Sequence, residues 1–307
     1  MTVSRVAAVD CGTNTVKLLV ADLDPESGEE VELVRASRMV RLGQGVDRTG
    51  RLADEAVARV FAAVEEYSAL VAEHAVATGA LRFCCTSAVR DAANATVFLD
   101  GVEERLGVRP EVVSGSEEAA LSFTGATLVA ADLEGPVLVV DIGGGSTELV
   151  LGEPGAPGPG HSLDIGSVRL TERYLAGDPP TDEEVARAQV EIDRHLETLP
   201  GHGVRLDSAR TVVAVSGTGL TVAAAVLDLP ALQRDGLDGA VVPVDGVVEA
   251  ARRLLAMTVE ERRALPYMHP GRADVIGGGA LVLASVLTRA QVSTLRVSVR
   301  DILDGIA

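Results

Sequence analysis

Val6-Ala-Ala-Val-Asp10-Cys-Gly12-Thr-Asn14-Thr-Val-Lys-Leu18-Leu-Val20 and Val137-Leu-Val-Val-Asp141-Ile-Gly143-Gly-Gly-Ser-Thr-Glu148-Leu149-Val-Leu151 are two copies of one device. In each, a short apolar run ends in an aspartate, a glycine follows two positions later, and a second apolar run starts with a leucine in the same place. Runs of this length, closed by an acid and a glycine, fit buried strands. The two aspartates stand 131 residues apart in a chain of 307, so the repeat divides the sequence into two similar halves.

Working outward from the first copy, Val16 to Leu23 and Glu29 to Ala36 flank Pro25, Ser27 and Gly28, which predicts two strands joined by a turn. From Leu52 to His74, Ala56, Val60, Ala63, Val64, Tyr67 and Val71 fall at helical spacing. Leu81 to Cys85 reads as a buried strand. Thr86-Ser87 is placed to cap a helix from Ala88 to Leu106, Pro110 to Val113 is a short strand, and Ser114 with Glu117 has the pattern of a capping box. Outward from the second copy come a Gly/Pro-rich turn at Gly152 to Gly160 and helices near Ser167–Leu175 and Thr181–Leu199. They are followed by a strand at Thr211–Val215, a turn at Ser216-Gly-Thr-Gly219, and helices near Val244–Ala256 and Arg272–Leu287. Strands alternating with helices predict an α/β protein with a mostly parallel sheet in each half. The expected domains are 1–130 and 131–307.

Composition bounds the function. Hydrophobic residues make up 47% and charged residues 23%, a balance that excludes a disordered or collagen-like chain. No apolar stretch approaches the ~18 residues of a membrane span. Three cysteines, two of them adjacent, are too few for a disulfide framework or a four-cysteine zinc site, which points to a reducing cytoplasm. A net charge of −18 argues against broad binding to nucleic acid or membranes. Aromatics at 2% leave little with which to stack on single-stranded bases. An anionic ligand is still compatible, because arginine and backbone N–H groups can bind phosphate locally in an acidic protein. The five histidines show no metal-binding spacing, and neither a Walker lysine motif nor a Gly-x-Ser-x-Gly elbow occurs.

The candidate chemistry lies at the turns. An Asp-x-Gly turn lets a ligand approach the backbone, and successive N–H groups there form an anion-binding concavity. Thr13 and Asn14 add donors in the first copy, and Ser146 and Thr147 in the second. Asp141 and Glu148 flank Gly143, Gly144 and Gly145, where two carboxylates facing one mouth would suit Mg²⁺ beside phosphates. Spacing alone reads Glu148 equally well as an exposed strand residue. Ser87 and Arg90 sit at a strand-to-helix junction where arginine can clamp phosphate, or where an ordinary Arg–Asp91 surface pair would form. Glu117 and Glu118 open a helix. Acids there commonly serve only the helix dipole, but one of them could orient an attacking water.

Four of these stretches occur in a fixed order: Val9-Asp10-Cys-Gly-Thr-Asn14-Thr, Thr86-Ser-Ala-Val-Arg90-Asp-Ala-Ala-Asn94, Ser114-Gly-Ser-Glu-Glu118-Ala and Asp141-Ile-Gly-Gly-Gly-Ser-Thr-Glu148. Together they resemble the exopolyphosphatase/guanosine pentaphosphate phosphatase family. Arg41-Leu-Gly-Gln-Gly-Val-Asp47, Gly166-Ser-Val-Arg-Leu-Thr-Glu172 and Arg272-Ala-Asp274 extend the likeness over nearly the whole chain. The length is similar to that of short, two-domain members. The resemblance implies two ribonuclease-H-like domains around a cleft, as in the actin, sugar-kinase and heat-shock ATPase superfamily. It implies Mg²⁺-dependent hydrolysis of the terminal phosphoanhydride of inorganic polyphosphate, in the cytoplasm, by a chain for which a homodimer is an open assembly. It casts Glu118, rather than Glu117, as the catalytic base, and Asp141 and Glu148 as metal ligands. Thr13, Asn14, Ser87, Arg90 and the amides of Gly143, Gly144, Gly145, Ser146 and Thr147 become phosphate-binding groups. Thr15 stands where serine is more usual, and Lys17 holds a variable position.

Three other readings stand beside this one. One is hydrolysis of guanosine pentaphosphate, another is a phosphotransferase using Ser216-Gly-Thr-Gly219 near a nucleotide, and the third is a non-catalytic sensor of polyphosphate or an alarmone. Fold alone does not separate them.

Overall fold

The computed structural model describes residues 3–24, 30–128, 133–234 and 236–307. Packing divides the chain into two units, Met1–Ser114 with Ile302–Ala307, and Gly115–Asp301. The expected boundary between 130 and 131 and the expected turn at Pro25 to Gly28 both lie outside the described residues.

The first unit contains β1 (Ser4–Cys11), β2 (Thr15–Leu23), β3 (Glu30–Met39), α1 (Val46–Thr49), α2 (Asp54–Glu73), β4 (Leu81–Cys85), α3 (Ser87–Arg90), α4 (Ala95–Leu106) and β5 (Glu111–Val112). Its sheet runs β3-β2-β1-β4-β5. The sheet is mixed, where a mostly parallel one was expected: β1/β2 and β2/β3 are antiparallel, while β1/β4 and β4/β5 are parallel. The physical reason is the short link from β1 to β2, since a parallel return needs a crossover of about a dozen residues or more. Helix α2 buries the six residues that its spacing picks out, Ala56, Val60, Ala63, Val64, Tyr67 and Val71. Asp54 and Glu55 in its first turn suit the positive end of the helix dipole.

The single helix expected from Ala88 to Leu106 is broken into α3 and α4. Long-range bonds pull the intervening backbone away. The Ala93 N–H donates to the Gly50 carbonyl at 2.8 Å. Asn94 brackets Leu52, accepting from its N–H at 2.8 Å and donating to its carbonyl at 3.0 Å. Thr86 does sit at the N-cap of α3, but its side chain makes no capping bond.

The second unit begins with α5 (Gly115–Thr127), β6 (Val137–Ile142), β7 (Thr147–Gly152), β8 (Gly160–Leu163), α6 (Ser167–Tyr174), α7 (Asp182–Leu196) and β9 (Thr211–Val215). It continues with α8 (Ser216–Val226), β10 (Val241–Pro243), α9 (Val244–Ala256), α10 (Val259–Arg263), α11 (Ile276–Ala290) and β11 (Thr294–Val297). The sheet order is β10-β11-β9-β6-β7-β8. Within it, β8-β7-β6-β9-β11 repeats the order and strand directions of β3-β2-β1-β4-β5. This is the ribonuclease-H-like α/β domain that the family resemblance implies, present twice.

Alternation along β6 sorts its side chains to two faces. Leu138, Val140 and Ile142 enter the larger core. Val137 and Val139 pack instead with Ala119, Phe123 and Ala126 of α5. Helix α5 therefore belongs to the second unit, although it precedes the expected boundary.

Three further differences follow from local geometry. Ser216-Gly-Thr-Gly219 opens α8 instead of forming a free turn, with Ser216 at φ 59°. Helix α11 starts at Ile276, after a short 3₁₀ turn over Pro270–Arg272. Strands β8, β10 and β11, at three to four residues each, are too short to give a periodic signal. Among the described residues no helix is long and apolar enough to cross a membrane.

Candidate active site

Pairing of β6 with β7 sets Asp141 directly opposite Glu148. Both belong to the α5 face of the sheet, since Asp141 shares the parity of Val137 and Val139, and Glu148 that of Val150. Helix α5 then brings Glu118 to the same place. The three carboxylates are nearly withdrawn from solvent, with Asp141, Glu148 and Glu118 at 6, 2 and 7% exposure. Glu117 is exposed, so the helix turns only one of its two adjacent acids toward the others.

Burial pushes the Glu148 carboxyl well above its usual range, and the nearby charges of Glu118 and Asp141 push it further the same way. Hydrogen bonds from Ser162 and Ser146 act against this. Ser162 Oγ donates to Glu148 Oε1 at 2.7 Å, and Ser122 Oγ donates to Asp141 Oδ2 at 2.8 Å. Three acids at one end of a sheet, restrained by serine hydroxyls, form a site with a strong preference for a cation or a proton.

The glycine turn between β6 and β7 is built to present N–H groups. The Gly143 N–H donates to the Ser146 carbonyl at 3.0 Å and closes the turn. The carbonyls of Gly143, Gly144 and Gly145 are engaged by the start of α6. Ser167 N–H reaches Gly143 O at 2.9 Å, Val168 N–H reaches Gly144 O at 2.8 Å, and Gly166 N–H reaches Gly145 O at 3.2 Å. Arg169 Nε adds a bond to Gly145 O at 2.8 Å. With its carbonyls held on one side, the turn has the amides of Gly144 and Gly145 donating to no backbone carbonyl among the described residues. A run of amides of this kind has the donors that an anion-binding nest requires. Only glycine fits at 166, where a Cβ would lie 2.3 Å from Gly144 O.

The first copy repeats the turn almost atom for atom. Gly12 N–H donates to Thr15 O at 2.9 Å. Asn14 O accepts from Val40 and Arg41 N–H, and Thr13 O accepts from Gly43 N–H at 2.8 Å, so these carbonyls are held as well. Here the residue opposite the aspartate is Lys17, whose Nζ lies 3.4 Å from Asp10 Oδ2. The first device therefore carries a cation where the second has a carboxylate.

The residues picked out from sequence fall into two sets. In the second unit, Glu118, Asp141, Glu148, Gly143, Gly144, Gly145, Ser146 and Thr147 gather around one turn. Within that set, the Gly143 amide closes the turn itself, and Thr147 Oγ1 donates to Ile165 O at 2.9 Å in the interior. The Ser146 hydroxyl bonds Glu148. The amides of Gly144, Gly145 and Ser146, on a buried turn, are the ones that donate to no backbone carbonyl among the described residues. In the first unit, Thr13 Oγ1 and Ser87 Oγ are 3.0 Å apart, Asn14 sits on the same turn, and Arg90 Nη1 donates to Val113 O at 2.9 Å. Sequence reasoning missed Ser122 and Ser162. Ser122 has a legible signal, since it lies four residues after Glu118 on the same helix face. Ser162 has none, because its strand was not foreseen.

The donor set fits a divalent cation. Among the described residues no group of three or more His, Cys, Asp or Glu side chains is arranged as a metal cage. Mg²⁺ does not need one, because it is commonly held by one or two carboxylates, several waters and the oxygens of bound phosphates. Asp141 and Glu148 supply two hard oxygen donors next to a phosphate-type nest, and their buried negative charge calls for neutralisation.

The sequence and the fold both have close counterparts. A model of the Ppx/GppA phosphatase family matches residues 20–306. The chain is 44% identical to exopolyphosphatase 2 of Mycobacterium tuberculosis, across 100% of this chain and 98% of that protein. It superimposes on the crystal structure of an exopolyphosphatase-like protein with a TM-score of 0.93 at 42% identity, covering 98% of this chain and 97% of the other. For an exopolyphosphatase from Cytophaga hutchinsonii the TM-score is 0.89 at 26% identity, over 98% and 96% of the two chains. The chain belongs to the Ppx/GppA phosphatase family.

Proposed function

We propose that the protein is an exopolyphosphatase that hydrolyses the terminal phosphoanhydride of inorganic polyphosphate and releases orthophosphate. The observation that carries this reading is the arrangement of Asp141 and Glu148 as opposite partners in one hairpin, beside Glu118 and a turn whose Gly144 and Gly145 amides donate to no backbone carbonyl among the described residues. The two relatives named exopolyphosphatase agree with it.

Asp141 and Glu148 would hold Mg²⁺. When bound, that ion supplies charge neutralisation and polarises the phosphoryl oxygens. The amides of Gly144 and Gly145 bind and orient a phosphate; within the first unit, Thr13, Asn14, Ser87 and Arg90 are the groups that the family resemblance assigns to phosphate binding. Glu118 orients a water toward the terminal phosphorus and accepts its proton as the new P–O bond forms and the bridging P–O bond breaks. Positioning and charge supply most of the rate in this chemistry, so no covalent intermediate is needed. The three cysteines are buried and form no disulfide, in keeping with a cytoplasmic enzyme.

The test is phosphate release from polyphosphate and from guanosine pentaphosphate measured side by side, with and without Mg²⁺. Release from polyphosphate that depends on Mg²⁺ is expected. Faster release from guanosine pentaphosphate would transfer the assignment to that substrate, and tight binding of polyphosphate without release would make the protein a sensor.

A further inference from the structure

Helix α5 crosses the strands of the second sheet and passes over β8, β7 and β6 in succession before reaching β9. Near Gly115 it meets β8, where an added Cβ would lie 2.6 Å from the Ser162 Cβ. Three residues on, Glu118 lies close enough to Glu148 of β7 for the charge of each to bear on the other. Four residues further, Ser122 Oγ donates to Asp141 Oδ2 of β6 at 2.8 Å. The spacing has a simple origin. One helical turn advances about 5.4 Å, and neighbouring strands lie about 4.8 Å apart. Each turn of α5 therefore comes to rest over the next strand.

The three contacts differ in kind. At Gly115 the contact is close steric packing, and at Glu118 two like charges face each other. At Ser122 a hydrogen bond ties the helix to an acid of the site. Ser122 is fully buried, so the bond is shielded from competing water. It also engages one oxygen of Asp141, which restrains the carboxylate plane.

We infer that Ser122 is a positioning residue: its hydroxyl locks α5 in register with β6, so that Glu118 and the Asp141 carboxylate are held at a fixed separation. This rests on the reading of Asp141 as a metal ligand given above. Ser122 acts through Asp141 and through the helix that carries Glu118. Removal of partners that orient a metal ligand commonly weakens metal binding by about 10- to 100-fold.

The experiment is Mn²⁺ binding followed by electron paramagnetic resonance on the purified full-length protein, together with steady-state kinetics on polyphosphate. Wild type, Ser122→Ala, Ser122→Cys, Asp141→Asn and Thr127→Val are compared. Thr127 is a second buried hydroxyl of α5, which bonds only to Phe123 O of its own helix at 2.9 Å. We expect Ser122→Ala to bind Mn²⁺ about tenfold more weakly and to lose kcat with little change in KM, while Thr127→Val keeps wild-type affinity. Ser122→Cys, close in size but a weak donor, falls between and covers the case in which the alanine variant does not fold. Wild-type Mn²⁺ affinity in Ser122→Ala or Ser122→Cys overturns the inference. An equal loss in Thr127→Val also overturns it, because the effect is then general loosening of the helix. Affinity unchanged in Asp141→Asn, or no Mn²⁺ bound by wild type, removes the metal reading itself.

Discussion

Replacing Gly115 by alanine is the sharpest perturbation of the site that leaves every reacting group in place. The added Cβ would sit 2.6 Å from the Ser162 Cβ, with Ser162 Oγ at 3.2 Å. Ordinary contact begins near 3.4 Å, so α5 and β8 must separate by about 0.8 Å. The obstructing atom is a Cβ, which no change of rotamer can move aside. Overpacking of this kind costs about 1–3 kcal/mol. Gly115 is the first residue of α5, so the alanine advantage of a helix interior offsets little of this. The net expectation is a loss of stability of about 1–3 kcal/mol. Catalysis suffers more, because Glu118 lies one turn along the displaced helix. A misplacement of about 1 Å commonly costs about 10²-fold in rate. Thermal unfolding and phosphate release from polyphosphate, measured on the same preparation, separate the two effects. A Gly115→Ala protein as stable as wild type and equally fast would show that α5 does not need its close approach to β8.

Glu118→Gln keeps the shape of the base and removes its proton affinity, so turnover is expected to drop by about 10²- to 10⁴-fold while polyphosphate still binds; unchanged turnover would end the assignment of Glu118. Without divalent ions, the raised Glu148 pKa makes the folded protein bind more protons than the unfolded chain, so stability falls as pH climbs from the ordinary carboxyl value of 4.5 through the raised one. Mg²⁺ at 100 times its dissociation constant restores about 2.7 kcal/mol in the upper part of that window and little below it; melting curves that respond to Mg²⁺ equally at every pH would contradict this. Gly166→Ala puts a Cβ 2.3 Å from Gly144 O and forces the phosphate turn to shift, so KM for polyphosphate should rise, as steady-state kinetics will show.

The parts of the fold that were legible in sequence are those with a strong local pattern. The six buried positions of α2 and the limits of β4, β9 and α9 followed from periodicity and flanking residues. The repeated Asp-x-Gly device disclosed the doubled architecture and led to Asp141 and Glu148. What stayed hidden depends on partners distant in the chain. The gap between α3 and α4 is made by Gly50 and Leu52, some forty residues upstream. The mixed sheet direction follows from how tightly Gly12 and Gly143 close their turns, which a strand-and-helix alternation does not reveal. Engagement of the Thr147 hydroxyl by Ile165, and of the Gly143 amide by its own turn, narrows the remaining donors in a way that residue type could not tell. Ser162 reaches Glu148 only because a short, polar edge strand pairs with β7.

The contrast between Lys17 and Glu148 has a consequence for how the two halves meet their surroundings. One hairpin carries its counter-charge tethered to its own strand, and its electrical balance travels with the polypeptide into any buffer. On the proposed reading, the other hairpin has left that role to a dissolved ion and is complete only when the solution provides one. A chelator would then address one half of the molecule and pass the other by. A difference at one matching codon thus separates a self-sufficient scaffold from a component whose readiness follows the ionic state of the cell.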